Sequence, residues 1–118
     1  MDVSELIGKT ITKIDQDGNE RLTFHTNDGS YAMFHISDCC ESVYIEDIIG
    51  NLEDLIGTTI YMAEEVISGE NPPDKDYESE SFTWTFYKFG TVKGYVTIRW
   101  YGSSNGYYSE SVTFEKLD

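Results

Sequence analysis

Arg99 is one of only two arginines in the chain, and the residues around it are of the types that recognise planar anions. Period-two alternation over residues 92 to 101 puts Val96, Ile98 and Trp100 on one face of a strand and Lys93, Tyr95, Thr97, Arg99 and Tyr101 on the other. A guanidinium can hold a phosphate through two N–H groups while neighbouring rings stack on a base. Matching parity in the adjacent strands adds Tyr87 and Tyr107 to that face. The loop from Ser103 to Tyr108 then supplies hydroxyls, an amide and backbone N–H groups around Gly106, all donors for phosphate or ribose oxygens. The ligand site expected from these residues is Arg99, Tyr101, Ser104, Asn105, Gly106, Tyr107 and Tyr108. The same residues have a plainer reading, in which tyrosines shield an arginine stem on a solvated sheet face and Asn-Gly makes a hairpin turn.

Other reactive residues carry less. Cys39 and Cys40 are adjacent, where a mutual disulfide would distort the backbone and close almost no loop, so they are expected reduced and packed beside a strand end. His25, His35 and the two thiols lack zinc-knuckle spacing, and no metal is assigned. A Cys–His nucleophile has no Asn or Asp arranged to orient the base. Acid pairs such as Glu46–Asp47 and Glu64–Glu65 carry no catalytic information among 22 acids. With no nucleophile elbow, phosphate-cradling loop or metal-hydrolase signature, the expectation is a non-enzyme without cofactor.

The elements that must position these residues begin with an echo. LIGKTI at 6–11 returns as LIGTTI at 55–60, a period of 49, each copy preceded by an acidic, helix-compatible turn. Gly8 and Gly57 are placed to end a short helix in the left-handed conformation before a strand starts, and internal duplication would account for the repeat. ITKID, RLTFHT and SYAMFHI alternate with period two and are separated by DQDGN and NDG, which predicts a three-stranded meander. SVYIEDII at 42–49 suits a strand or a short helix, and Thr58 to Ile67 reads as a further strand. GENPPDKDYESES is a solvated acidic loop.

Three strands, near 81–89, 92–101 and 106–115, are expected to close the chain as a second meander, with Trp84, Phe86, Val96, Ile98, Trp100, Val112 and Phe114 inward. The fold class is α+β: mostly antiparallel β-sheet, about seven strands, with two short helices, in a single domain spanning 1–118.

Charge narrows the partners. Eight basic against 22 acidic residues give a net charge of −14, which excludes general binding to nucleic-acid backbones. No stretch approaches the roughly 20 apolar residues of a membrane span and Met1 opens no apolar signal, so neither membrane insertion nor secretion is expected. Long-range repulsion of a phosphate is screened within roughly 8 Å at physiological ionic strength, leaving room for a local arginine to capture one. The same acidity supports an alternative, a nucleic-acid mimic that blocks a DNA-binding host defence protein. Seven acids fall between Glu64 and Glu80, Glu78 among them.

The blocks DCCE, TWTFYK and RWYG-SNGYYS, within stretches 38–57 and 83–112, resemble a family of small phage and prophage proteins. Its size and β-rich make-up are similar to the type 1 Thoeris anti-defence proteins. That resemblance implies a sponge that binds an immune nucleotide, a cyclic ADP-ribose isomer or cyclic oligonucleotide, without cleaving it. It also implies pockets formed between protomers of a homo-oligomer, in the cytoplasm of an infected bacterial cell.

Overall fold

The chain is described by a computed structural model covering residues 1–77 and 80–117. Among the described residues there are eight strands: β1 Ile11–Asp17, β2 Arg21–Thr26, β3 Gly29–Phe34, β4 Ser42–Ile49, β5 Met62–Ser68, β6 Ser81–Thr91, β7 Gly94–Ser104 and β8 Thr113–Lys116. They make two four-stranded antiparallel sheets, ordered β1-β2-β3-β8 and β4-β7-β6-β5. Both sheets turn an apolar face to one core: Leu22, Phe24, Tyr31 and Met33 come from the first, Tyr87, Phe89, Val96, Ile98 and Trp100 from the second. Phe24 and Phe89 meet across it at 5.9 Å between ring centres, and Trp100 donates its indole N–H to the Met33 sulfur at 3.2 Å.

The two expected helices are single 3-10 turns, Val3–Leu6 and Leu52–Leu55, so the architecture is β-sheet throughout its regular structure. Four residues cannot complete an α-helical turn with its own ladder, and each segment is closed by its cap and its glycine. Asp2 accepts a hydrogen bond from the Ser4 N–H, and Asn51 accepts one from the Glu53 N–H. Gly8 and Gly57 follow at φ +89° and +90°, the left-handed geometry expected of both.

The 49-residue echo is a physical contact. The Gly8 N–H donates to the Ile60 carbonyl at 2.8 Å, and the Gly57 N–H donates to the Ile11 carbonyl at 2.8 Å. Thr10 bridges Thr59, its own counterpart in the repeat. Each copy therefore grips the other reciprocally about a local two-fold, and the symmetry continues through the sheets. β1-β2-β3 and β5-β6-β7 are matching meanders, and each takes its fourth strand from the other half: β8 pairs with β3, and β4 pairs with β7.

That exchange corrects the C-terminal expectation. β6 and β7 form a hairpin, but the segment after β7 leaves the sheet, and β8 pairs in register with β3, Met33 opposite Phe114. The parity of β6 also differs from the expected one. Trp84 lies opposite Tyr101 and Phe86 opposite Arg99, so both are on the outer face, while Tyr87 lies opposite Ile98 in the core. Aromatic residues occur on both faces of this strand, so hydrophobic alternation could not fix its register. Residues 42–49 are strand, and the expected strand from Thr58 begins its ladder at Met62.

Candidate functional site

The outer face of the second sheet holds Arg99 in an ionic and aromatic enclosure. β4 carries a bulge between Ile45 and Asp47, so Glu46 and Asp47 both face Arg99 of β7. Glu46 Oε1 accepts from Arg99 Nε at 2.9 Å and from a terminal N–H at 2.7 Å. Asp47 lies 3.7 Å away. The opposite edge of the guanidinium is taken by the loop between β5 and β6: Asp74 accepts from both terminal nitrogens, at 3.2 and 3.0 Å. Trp84 lies 5.4 Å beneath the guanidinium carbon. Arg99 is only 6% exposed, and the phosphate partner expected for it is replaced by the protein's own carboxylates.

The rest of that loop acts as a strap across the sheet. Tyr77 stacks on Trp84 with ring centres 5.8 Å apart and planes 9° from parallel, and meets Tyr101 edge-on at 4.8 Å. The Asn71 amide accepts from the Trp84 indole N–H at 3.0 Å and donates to the Tyr77 carbonyl at 2.9 Å, tying the strap's two ends to the ring. Lys75 reaches Glu46 Oε2 at 3.1 Å. Arg99 holds the Asp74 carboxyl below its usual range, and Asp74 in turn raises Arg99. Burial raises the Tyr44 phenol, with Tyr77 and Tyr101 beside it.

The seven expected site residues are divided. Arg99 and Tyr101 belong to this enclosure, whereas the loop after β7 turns away from it. Ser104 donates to Glu110 at 2.5 Å and accepts from the Gly106 N–H at 2.9 Å, and Asn105 accepts from the Tyr107 N–H at 3.0 Å. Gly106, at φ +89°, completes a turn. Tyr107 is 83% exposed and meets Tyr108 edge-on, while Tyr108 lines a cleft on the opposite face of the sheet. The residues missed in sequence are Glu46, Asp74, Tyr77 and Trp84. The signal for the strap was its length: the equivalent β1–β2 connection in the first half is the tight turn 18–20.

Both histidines are engaged. His35 faces the Ser111 carbonyl at 2.7 Å through Nδ1 and Glu41 at 3.0 Å through Nε2, so both ring nitrogens meet acceptors. Glu41 also accepts from the Asp38 and Cys39 N–H groups at 3.0 Å each, and these bonds with His35 lower its pKa to about 2. This tight loop brings Cys39 and Cys40 together as a vicinal disulfide, and both are exposed, correcting the reduced, packed pair expected. His25 bridges Ser30 at 2.9 Å and Asp15 at 2.8 Å, a serine–histidine–aspartate row across β3, β2 and β1. It lies on the outer side of the first sheet, its side chain 35% exposed. No three His, Cys, Asp or Glu side chains among the described residues are grouped to hold a metal ion.

A family model, domain of unknown function DUF7448, matches residues 4–114. The chain belongs to the DUF7448 family. No curated protein and no solved structure matches it. The matched span takes in both halves of the exchanged sandwich, and so the DUF7448 unit includes the strap and the Arg99 enclosure.

Proposed function

We propose that this domain is a binding protein that captures a small phosphorylated, adenine-containing signal on the Arg99 face and releases it intact. The observation that carries the reading is the strap itself. It presents a carboxylate to Arg99 through two hydrogen bonds and a flat ring to Trp84, which are the two interactions a nucleotide's phosphate and base would make. Asp74 is the exchangeable member, its side chain 58% exposed against 5% for Glu46. In this reading the ligand displaces Asp74 and Tyr77 and inherits their partners.

Charge then selects among ligands. Replacing one carboxylate by a singly charged phosphodiester leaves the local count unchanged, whereas a doubly charged phosphomonoester adds repulsion against Glu46 and Asp47. Cyclic mononucleotides fit that rule directly, and a cyclic ADP-ribose isomer, whose pyrophosphate carries one charge on each of two phosphates, fits it when a single phosphate meets Arg99 and the other lies away from Glu46 and Asp47. With the resemblance of the DCCE, TWTFYK and RWYG-SNGYYS blocks, the biological role proposed is a phage-encoded sponge acting in the bacterial cytoplasm, assembled from at least two copies. The competing reading, acidic mimicry, draws on Glu64, Glu65, Glu70, Asp76 and Glu80, all exposed; Glu78 lies outside the described residues.

Calorimetry against cyclic nucleotides, ADP-ribose isomers and AMP tests the reading, with the ligand recovered by heating and checked for integrity. Arg99→Ala is expected to weaken diester binding about tenfold to a hundredfold, and Asp74→Asn, which removes the competitor, to strengthen it. Failure of every ligand to bind folded protein, or weaker binding by Asp74→Asn, overturns it. In the first case, salt-sensitive binding to a DNA-processing protein that is lost on charge reversal at Glu64, Glu65 and Glu80 would establish mimicry instead.

A further inference from the structure

A cleft of about 370 Å³ opens on the opposite face of the same sheet, where the segment after β7 crosses β5 and β6. It is separate from the Arg99 enclosure because strand side chains alternate: Thr83 and Thr85 point to this side while Trp84 points to the other. The most buried residue of its lining is Thr85, only 2% exposed, held between Ile67 of β5 and Trp100 of β7.

Thr85 is what points to a ligand. A threonine hydroxyl taken out of water normally finds a hydrogen-bond partner. This one has none among the described residues, and it is not sealed into the core: the side-chain oxygens enclosed there without a partner are those of Thr58 and Tyr87. The space that the Thr85 hydroxyl can reach is the cleft it lines.

The rest of the lining mixes acceptors and donors. Glu110 receives the protons of Thr83 at 2.7 Å and Ser104 at 2.5 Å, one on each oxygen, and keeps its second lone pairs. Burial pushes its carboxyl up, but the hydroxyls of Ser104, Thr83 and Ser81 more than offset this and hold it below its ordinary range, as the anion. The half-buried Tyr108 phenol has no hydrogen-bond partner among the described residues, and Ser109 and Ser111 spend one proton on the bond between them at 2.7 Å, leaving the other. Ile67 and Val112 add apolar wall.

A charged ligand matches only half of this set. An anion could accept from Thr85 and Tyr108 but is repelled by Glu110 and by the exposed Glu65. A cation could donate to the carboxylates but gives the Thr85 and Tyr108 protons no acceptor. A hydroxyl does both, and a ring that carries several of them also has apolar C–H edges for the walls. We infer that the cleft binds a neutral polyhydroxylated ligand, a single monosaccharide ring. Its hydroxyls would accept from Thr85 and Tyr108 and donate to Glu110, and its C–H face would lie on Ile67, Val112 and the Tyr108 ring. The volume, at the small end for ligand sites, suits one ring. This assignment is independent of the Arg99 face.

Glucose, galactose, mannose and ribose are titrated into the intact protein by amide shift mapping at physiological salt, with putrescine and acetate as charged probes. At least one sugar should bind saturably in the millimolar range, with shifts centred on residues 65–67, 81–85 and 108–112. Thr85→Val keeps the shape and removes the hydroxyl, so it should weaken that sugar about three- to tenfold, the usual scale for one neutral hydrogen bond. Because the lost hydroxyl has no protein partner, the unfolding midpoint should be unchanged or raised. Thr97→Val makes the same change on the outer face of β7, opposite Lys88, and should alter sugar binding less than about twofold. No saturable binding by any of the four sugars, shifts centred elsewhere, or tighter binding of putrescine or acetate at these residues would each overturn the assignment. So would equal losses in the two threonine variants, or a lowered midpoint for Thr85→Val, which would show that its hydroxyl serves the fold.

Discussion

At the scale of single residues, the acids of this chain have distinct jobs. Glu46 is drawn under Arg99 by a one-residue bulge, Glu110 is fixed by hydroxyls, and Glu41 is bonded to His35 and to two backbone N–H groups. The Glu41 carboxyl is lowered from 4.5 to about 2, and its side chain is 1% exposed. The sign follows from linkage. Between those values the unfolded chain binds a proton that the native chain does not, so the stability from Glu41 is complete above about 4.5 and is lost as pH falls toward about 2. Asp15 and Asp74 are shifted the same way by His25 and Arg99 and add to the same acid limb. A Glu41→Gln variant should therefore be less stable at neutral pH and lose less of its stability on acidification. An acid titration of unfolding midpoints checks this, and parallel curves for the two proteins would refute it.

At the scale of elements, the repeat predicts matched costs. Gly8 and Gly57 hold φ near +90° in equivalent turns, and a methyl group added at either meets at most the Lys93 ammonium, 3.6 Å from Gly57. The penalty for alanine is then mainly backbone strain, about 1–2 kcal/mol at each site. Denaturant unfolding of the two variants should give losses that agree within about 0.5 kcal/mol, the scatter expected of independent sites. A markedly larger loss at one would show that the turns are not equivalent. These turns were legible in the sequence because Gly in a fixed local context has few other uses, and the tight turns at Gly18 and Asn27–Asp28 were legible for the same reason. The β6 register was not, since Phe82, Trp84, Phe86, Tyr87 and Phe89 put large rings on both faces. Arg99 was picked out by its rarity and its tyrosines, but its partners were hidden. Glu46 depends on a bulge and Asp74 on a loop folding back over 25 residues, and neither leaves a local pattern.

At the scale of the whole molecule, the controlling feature is that neither half is complete. Residues up to Gly50 contain β1 to β4, yet β4 pairs with β7, and the second half contains β8, which pairs with β3. The core is shared in the same way, with Met33 of one half receiving the indole N–H of Trp100 from the other. Each half alone would expose a meander's apolar face and leave its fourth strand without a ladder, which a marginally stable fold cannot sustain. Because these pairings are non-local, loop closure precedes most of the stabilising contact, and folding should be slow for a chain of this size. The test is a split between Gly50 and Asn51, in the connection that links the halves. Fragments 1–50 and 51–118, made separately, should each lack the circular dichroism of a folded sheet. Mixed in equal amounts, they should recover it together with the buried fluorescence of Trp100. A sheet formed by either fragment alone at low micromolar concentration would show that the exchanged strands are dispensable. Recovery only on mixing would show that the reciprocal Gly8–Ile60 and Gly57–Ile11 bonds, the shared core and the exchanged strands join the halves as one cooperative unit.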